Sequence, residues 1–295
     1  MKICVLGLDG ATPDIVFHDE RLVNIRRLMD VGVYGIVQAG GESATLRVWM
    51  SMGTSQAPEA LDPKAPAIWN LLADHQNRSA LLGLTSDIPP YEIDGVSFAS
   101  FPATASPSDL TACDSESVVP TAAHTLSEQV LSASRTRWQT ARTLFPQQRW
   151  AYFQIVDVGM ETLGVDLPSP EAISDYYLWL DEQVGSILEL LDDDTLLLIV
   201  SPRAIKGSSS NPQASQPGDG FFVLVAPNCP LTGEYHGASL LDLAPTMLDL
   251  VGREIPPTMQ GKSLVAEVQK KNPDETTAVD EESLIRDRLA GLGYI

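Results

Sequence analysis

Three largely apolar runs, the second broken only by Gln154, each end on a polar residue, and this feature narrows the folds open to the chain more than any other. Ile3–Leu8 stops at Asp9, Ala151–Val156 stops at Asp157, and the run opened by Thr195 closes on Ser201. Short runs without polar alternation suit strands covered on both faces, as in the parallel sheet of an α/β protein. In an open sheet of that kind, ligands bind beyond the carboxyl ends of the strands. Asp9, Asp157 and Ser201 are therefore expected to converge on one edge. An Asp that follows a strand also caps helices and opens turns, and that reading stays open for each position.

The segments between these runs alternate between helical and extended periods. Ile173, Tyr176, Tyr177, Leu180, Val184, Ile187, Leu188 and Leu191 recur at spacings of three and four, which predicts an amphipathic helix ended by Asp192-Asp193-Asp194. Further helices are expected at Arg21–Val31, Ala67–Asp74, Leu126–Leu144 and Leu240–Val251, the last stopped by Gly252. Further strands are expected at Val33–Gln38, Ser79–Leu84, Val96–Ser100 and Phe221–Ala226. Strand and helix in alternation imply right-handed crossovers, hence a mostly parallel central sheet with helices on both faces. One α/β domain over residues 1–264 is expected, with an irregular loop at 103–130 and a second loop at Lys206–Asp219. A polar linker at 265–281 then leads to a C-terminal helix and tail, 282–295, docked on the domain.

Composition excludes several classes of function. The net charge of −20, from 39 acidic against 19 basic residues, repels phosphate backbones and anionic lipid, so no nucleic acid and no membrane partner is expected. The N-terminal apolar run is too short for a signal peptide, and no segment nears the roughly 18 apolar residues of a membrane span. Cys4, Cys113 and Cys229 are odd in number and lack CxxC spacing, which fits reduced thiols and a cytoplasmic protein. The chain also lacks the GxGxxG and GxxxxGK[ST] phosphate loops, which argues against a nucleotide- or cofactor-binding α/β domain.

Several segments resemble the alkaline phosphatase superfamily, in particular its type I phosphodiesterase/nucleotide pyrophosphatase-like members. They are VLGLDGATPD at Val5–Asp14, ESATLRVWMSMGT at Glu42–Thr54, IWNLLADHQNRSALLGLTSDIPP at Ile68–Pro90, and DLAPTMLDLVG at Asp242–Gly252. Trp150–Glu161, Leu180–Ser201 and the terminal LAGLGYI at Leu289–Ile295 match later blocks. The resemblance implies a three-layer sandwich that lacks most of the usual cap insertion, which longer relatives carry near 103–130.

In such enzymes two divalent metals, usually zinc, clamp a phosphoryl or sulfuryl group while a Thr or Ser attacks in line. By resemblance, Asp9 stands at the first metal ligand and Asp157 at the Asp of a D-x-x-x-H block. Thr45 stands at the nucleophile, four residues before Trp49. Four positions differ: the block's His is Glu161, the Asp-His pair after the next strand is Pro202-Arg203, and a last His aligns with Gln216. The proline of the nucleophile segment is Arg47. None of His18, His75, His124 and His236 falls on a ligand position.

These substitutions remove the imidazoles zinc needs and place a permanent positive charge beside one metal position. Two zinc ions are therefore not expected, and no cofactor is required. A single magnesium or calcium at Asp157 and Glu161, an all-oxygen pair at i, i+4, remains the one metal option. Without a metal, Thr45 lacks an activating base and is a poor nucleophile. Arg203, with Arg47 as a second candidate, is expected to pair with Asp9 or Asp157 as the countercharge. The expected function is a catalytically inactive phosphodiesterase/phosphatase-like protein that binds a protein partner or an anionic small molecule. Arg47, Trp49, Pro202, Arg203 and Gln216 would line its pocket. The alternative is a divergent single-metal phosphodiesterase or phosphatase with Thr45 as nucleophile. Pro256-Pro257 and the C-terminal helix leave room for a homo-oligomer.

Overall fold

Alternate residues of the first strand enter two different cores, which accounts for its lack of polar residues after Lys2. In β1 (Lys2–Leu8), Ile3 and Val5 pack into one apolar cluster, while Cys4, Leu6 and Leu8 pack into the other. β6 (Thr195–Ser201) divides the same way, with Leu196, Leu198 and Val200 opposite Leu197 and Ile199. A strand buried on both faces has no solvent side to mark by alternation. The computed structural model describes residues 1–38, 45–62, 64–73, 77–83, 95–98, 126–146, 149–160, 169–204 and 218–271.

The remaining strands are β2 (Val33–Gln38), β3 (Arg78–Leu82), β4 (Gly95–Phe98), β5 (Trp150–Asp157), β7 (Gly220–Val225), β8 (Gly233–Glu234) and β9 (Ala238–Ser239). They form one sheet in the order β4-β3-β5-β1-β6-β7-β2-β8, with β9 also on β2. β1 lies at its centre, parallel to both β5 and β6. The sheet is mostly parallel, as expected, but β7 runs antiparallel to both β6 and β2. Periodicity reports burial and not strand direction, so this reversal has no signature in the sequence.

One helical layer holds α1 (Pro13–His18), α2 (Val23–Val31), α5 (Leu126–Leu144) and α6 (Pro170–Leu188), which fill one cluster through residues such as Val16, Leu28, Trp138 and Leu180. The opposite layer holds α3 (Thr45–Thr54), α4 (Ile68–Leu72), α7 (Leu243–Leu250) and α8 (Leu264–Lys271). Its inward side chains include Trp49, Ile68, Met247 and Leu264. The α8 helix occupies the start of the stretch expected to be a polar linker at 265–281, because Leu264 and Val265 are buried against the domain. The rest of that stretch, the tail at 282–295 and both expected loops other than their edges lie outside the described residues. Among the described residues no helix is long and apolar enough to cross a membrane.

Candidate functional site: two buried carboxylates at the strand ends

The in-register pairing Leu8↔Asp157 and Gly7↔Val200 brings the ends of β1, β5 and β6 together. Beyond them the Asp9 amide donates to the Asp157 carbonyl at 2.8 Å, and Gly10 bridges Ala204. Asp9, Asp157 and Ser201 thus share the carboxyl edge predicted for them, and all three are buried. The Ser201 hydroxyl donates to the Arg203 carbonyl at 2.8 Å and shapes the turn that carries Arg203. That turn rests on Gly220, where a Cβ would come within 1.9 Å of the Ser201 carbonyl oxygen.

Each carboxylate is held by one indole and one guanidinium. Trp49 donates from Nε1 to Asp9 Oδ2 at 3.1 Å, and Arg203 Nε stands 3.9 Å from Asp9 Oδ1. Trp138 donates from Nε1 to Asp157 Oδ2 at 2.9 Å, and Arg137 Nη1 stands 3.6 Å from the same oxygen. Asp157 Oδ1 also accepts the Tyr176 hydroxyl at 2.7 Å and the Gly159 amide at 2.8 Å. Burial and the adjacent Asp157 carboxylate push the Tyr176 phenol well above its ordinary value, so it stays protonated and able to donate. Its oxygen is also 2.8 Å from the Ser134 hydroxyl.

The magnitudes explain why arginines sit here. At 3.9 Å opposite unit charges attract by on the order of 4 kcal/mol in partly wet protein surroundings. Taking a carboxylate out of water costs several kcal/mol. The two terms are of similar size, so Asp9 is tolerated with Arg203 beside it and would be costly without it. Arg203 remains 25 % exposed, whereas Arg137 is 12 % exposed and largely enclosed.

The expected residues divide into three groups. Asp9, Trp49, Asp157 and Arg203 come together, with Pro202 in the turn after β6. Arg47 does not join them: it is exposed and donates to the Pro58 carbonyl at 3.2 Å. The reason is helical geometry, since two residues turn an α-helix by about 200° and Trp49 faces the sheet. Thr45 opens α3, but its side chain lies outside the described residues, as do Glu161 and Gln216. Arg137, Trp138 and Tyr176 were not anticipated. An adjacent Arg-Trp pair within an amphipathic helix was the available signal, because a buried indole seeks an acceptor.

The fold's two-metal chemistry can be tested against these donors. A carboxylate binds a cation through oxygen lone pairs, and Asp157 accepts three protein hydrogen bonds, with the Arg137 guanidinium as a further charge 3.6 Å from Oδ2. A permanent positive charge lies within 4.0 Å of each carboxylate. Among the described residues no three His, Cys, Asp or Glu side chains are grouped as metal ligands. The described donors, two carboxylates each with a guanidinium beside it, do not by themselves make a two-metal centre, and Glu161 and Gln216 lie outside the described residues.

The central parallel sheet, its two helical layers and the carboxylates at the strand ends define an alkaline phosphatase-like α/β fold. Solved structures share it. A 2-O GAG sulfatase superposes with a TM-score of 0.63 at 13% identity, over 94% of this chain and 75% of that one. Phosphonate monoester hydrolase from Silicibacter pomeroyi gives 0.62 at 14% identity, over 93% and 78%. The lipoteichoic acid synthase LtaP from Listeria monocytogenes gives 0.58 at 16% identity, over 90% and 75%. These neighbours support the superfamily's fold and not the nucleotide pyrophosphatase type in particular. No protein-family model matches the sequence, and no curated protein matches it significantly.

Proposed function

We propose that this chain is a non-hydrolytic binding protein on the alkaline phosphatase-like fold, taking an anionic small molecule or an anionic group of a partner at the strand-end crevice. The observation that carries this reading is the commitment of Asp157, whose two oxygens are engaged by Trp138, Tyr176, Gly159 and Arg137. Where the fold's enzymes present metal cations to an anion, this strand-end edge carries the guanidinium of the partly exposed Arg203, with that of Arg137 beneath it beside Asp157. Guanidinium matches the planar geometry of carboxylate, sulfate and phosphate oxygens and keeps its charge at every physiological pH.

The test is elemental mass spectrometry of protein purified with zinc, manganese and magnesium supplied and no chelator, alongside assays on chromogenic phosphodiester and sulfate-ester substrates. The expected result is no stoichiometric metal and no turnover. Two equivalents of metal with metal-dependent turnover would overturn the reading. One equivalent of magnesium or calcium with turnover abolished by Thr45→Ala would establish the single-metal hydrolase instead.

A further inference from the structure

A cavity lies away from the two carboxylates, at the edge where β6 begins and β7 ends. It is a groove of about 670 Å³ between α2 and α6, a size that suits a small organic ligand. The two helices are pinned together at one end. A Cβ on Gly185 would meet Asn24 Nδ2 at 2.7 Å, and the buried Asp181 carboxylate accepts the Asn24 and Ile25 amides at 3.1 and 2.9 Å. Beyond this clasp the C-terminal turns of both helices line the groove through Leu28 and Leu188. Leu197, Val225 and Ala226 of the sheet edge also line it and give it an apolar floor.

The rim is acidic. Glu182, Glu189, Asp192 and Asp193 line it together with Arg27, the one basic residue among the described lining. Lys2 takes Asp192 at 2.5 Å, whereas Glu182, Glu189 and Asp193 are in no ion pair among the described residues. Helix C-termini carry partial negative charge, and two of them meet here. Charge and floor together select one kind of occupant.

We propose that this groove binds a small organic cation, an alkylammonium whose apolar chain lies on Leu197, Val225 and Ala226 while its nitrogen meets Glu182 and Glu189. Its site is separate from the Arg203 crevice and goes beyond the function proposed above.

The experiment is a heteronuclear NMR titration of the full chain with hexylammonium, hexanol and hexanoate, which share a tail and differ in charge. Hexylammonium should shift amides of α2 and the C-terminal half of α6 and bind at least about tenfold tighter than hexanoate. Added salt should weaken it. The exposed pair Glu182→Gln and Glu189→Gln should weaken hexylammonium about tenfold together and leave hexanol unchanged. Ser186→Trp, on the half-buried wall, should block both. Equal binding of the three probes, or hexylammonium affinity untouched by the two Glu→Gln changes, would overturn the proposal. So would full hexylammonium binding in a folded Ser186→Trp variant.

Discussion

The indole N–H of Trp138 points at Asp157 Oδ2 from 2.9 Å, and the indole N–H of Trp49 points at Asp9 Oδ2 from 3.1 Å. The two tryptophans come from opposite helical layers, α5 and α3, so each layer supplies one clamp to the carboxylate edge of the sheet. An indole donates and never accepts, which suits it to the lone pairs of an acceptor-only carboxylate.

Asp157→Asn should therefore be among the most damaging single changes. It replaces one acceptor oxygen by an NH2 facing donors and leaves Arg137 without a counterion. A loss of about 3–5 kcal/mol is expected from breaking one side of a buried pair. Tyr176→Phe, which removes the hydrogen bonds to Asp157 and Ser134, should cost about 1–3 kcal/mol. Urea unfolding of the two variants checks the order; a smaller loss in Asp157→Asn would mean the carboxylate is not the hub of the network.

Gly7 leaves room for one clamp. A Cβ there would lie 2.4 Å from Trp49 Cη2 and 3.1 Å from Val156 Cγ2. Gly7→Ala should destabilise by about 1–3 kcal/mol through overpacking. Combined with Trp49→Phe it should cost less than the sum of the two single changes, a coupling that a double-mutant cycle reads directly.

Asp181 stands in for an N-cap that α2 lacks. No side chain caps α2 from within, while Asp181 of α6 accepts the amides of Asn24 and Ile25 and the Asn24 side-chain amide. Asp181→Ala should cost about 1–3 kcal/mol. Hydrogen exchange should show faster amides in the first turn of α2 while the central strands stay protected.

High pH should unfold the protein steeply. Burial pushes the Tyr177 phenol up to about 12 and raises Tyr152 and Tyr176 as well. A raised pKa in the folded state means that its contribution is fully present below the unfolded value near 10 and is lost as pH rises through the folded one. Each such phenol removes about 1.4 kcal/mol per pH unit in that window. Tyr177 alone accounts for roughly 2 kcal/mol by pH 12. Denaturant midpoints between pH 9 and 11, followed with phenolate absorbance, should show these tyrosines ionising only as the chain unfolds.

Some of this was legible in the sequence and some was not, for physical reasons. The edge on which Asp9, Asp157 and Ser201 meet could be read because a strand buried on both faces must end where polarity begins. Arg203 could be placed near Asp9 because it follows β6 by two residues. Arg137, Trp138 and Tyr176 reach Asp157 from helices, and which face of a helix meets a strand end depends on crossing geometry that periodicity does not encode. The reversal of β7 was hidden for the same kind of reason: Gly220–Val225 is buried along nearly its whole length, and burial reads the same in either direction. The groove between α2 and α6 depends on the close approach at Gly185, which one glycine in a helical pattern does not announce.

The arginines beside Asp9 and Asp157 also change what the fold needs from its surroundings. A metal countercharge must be acquired from the medium and can be stripped by a chelator. A guanidinium is synthesised with the chain, present in fixed ratio and charged from the moment translation ends. On the function proposed above, the centre of this sheet closes on its two carboxylates whatever the local supply of ions.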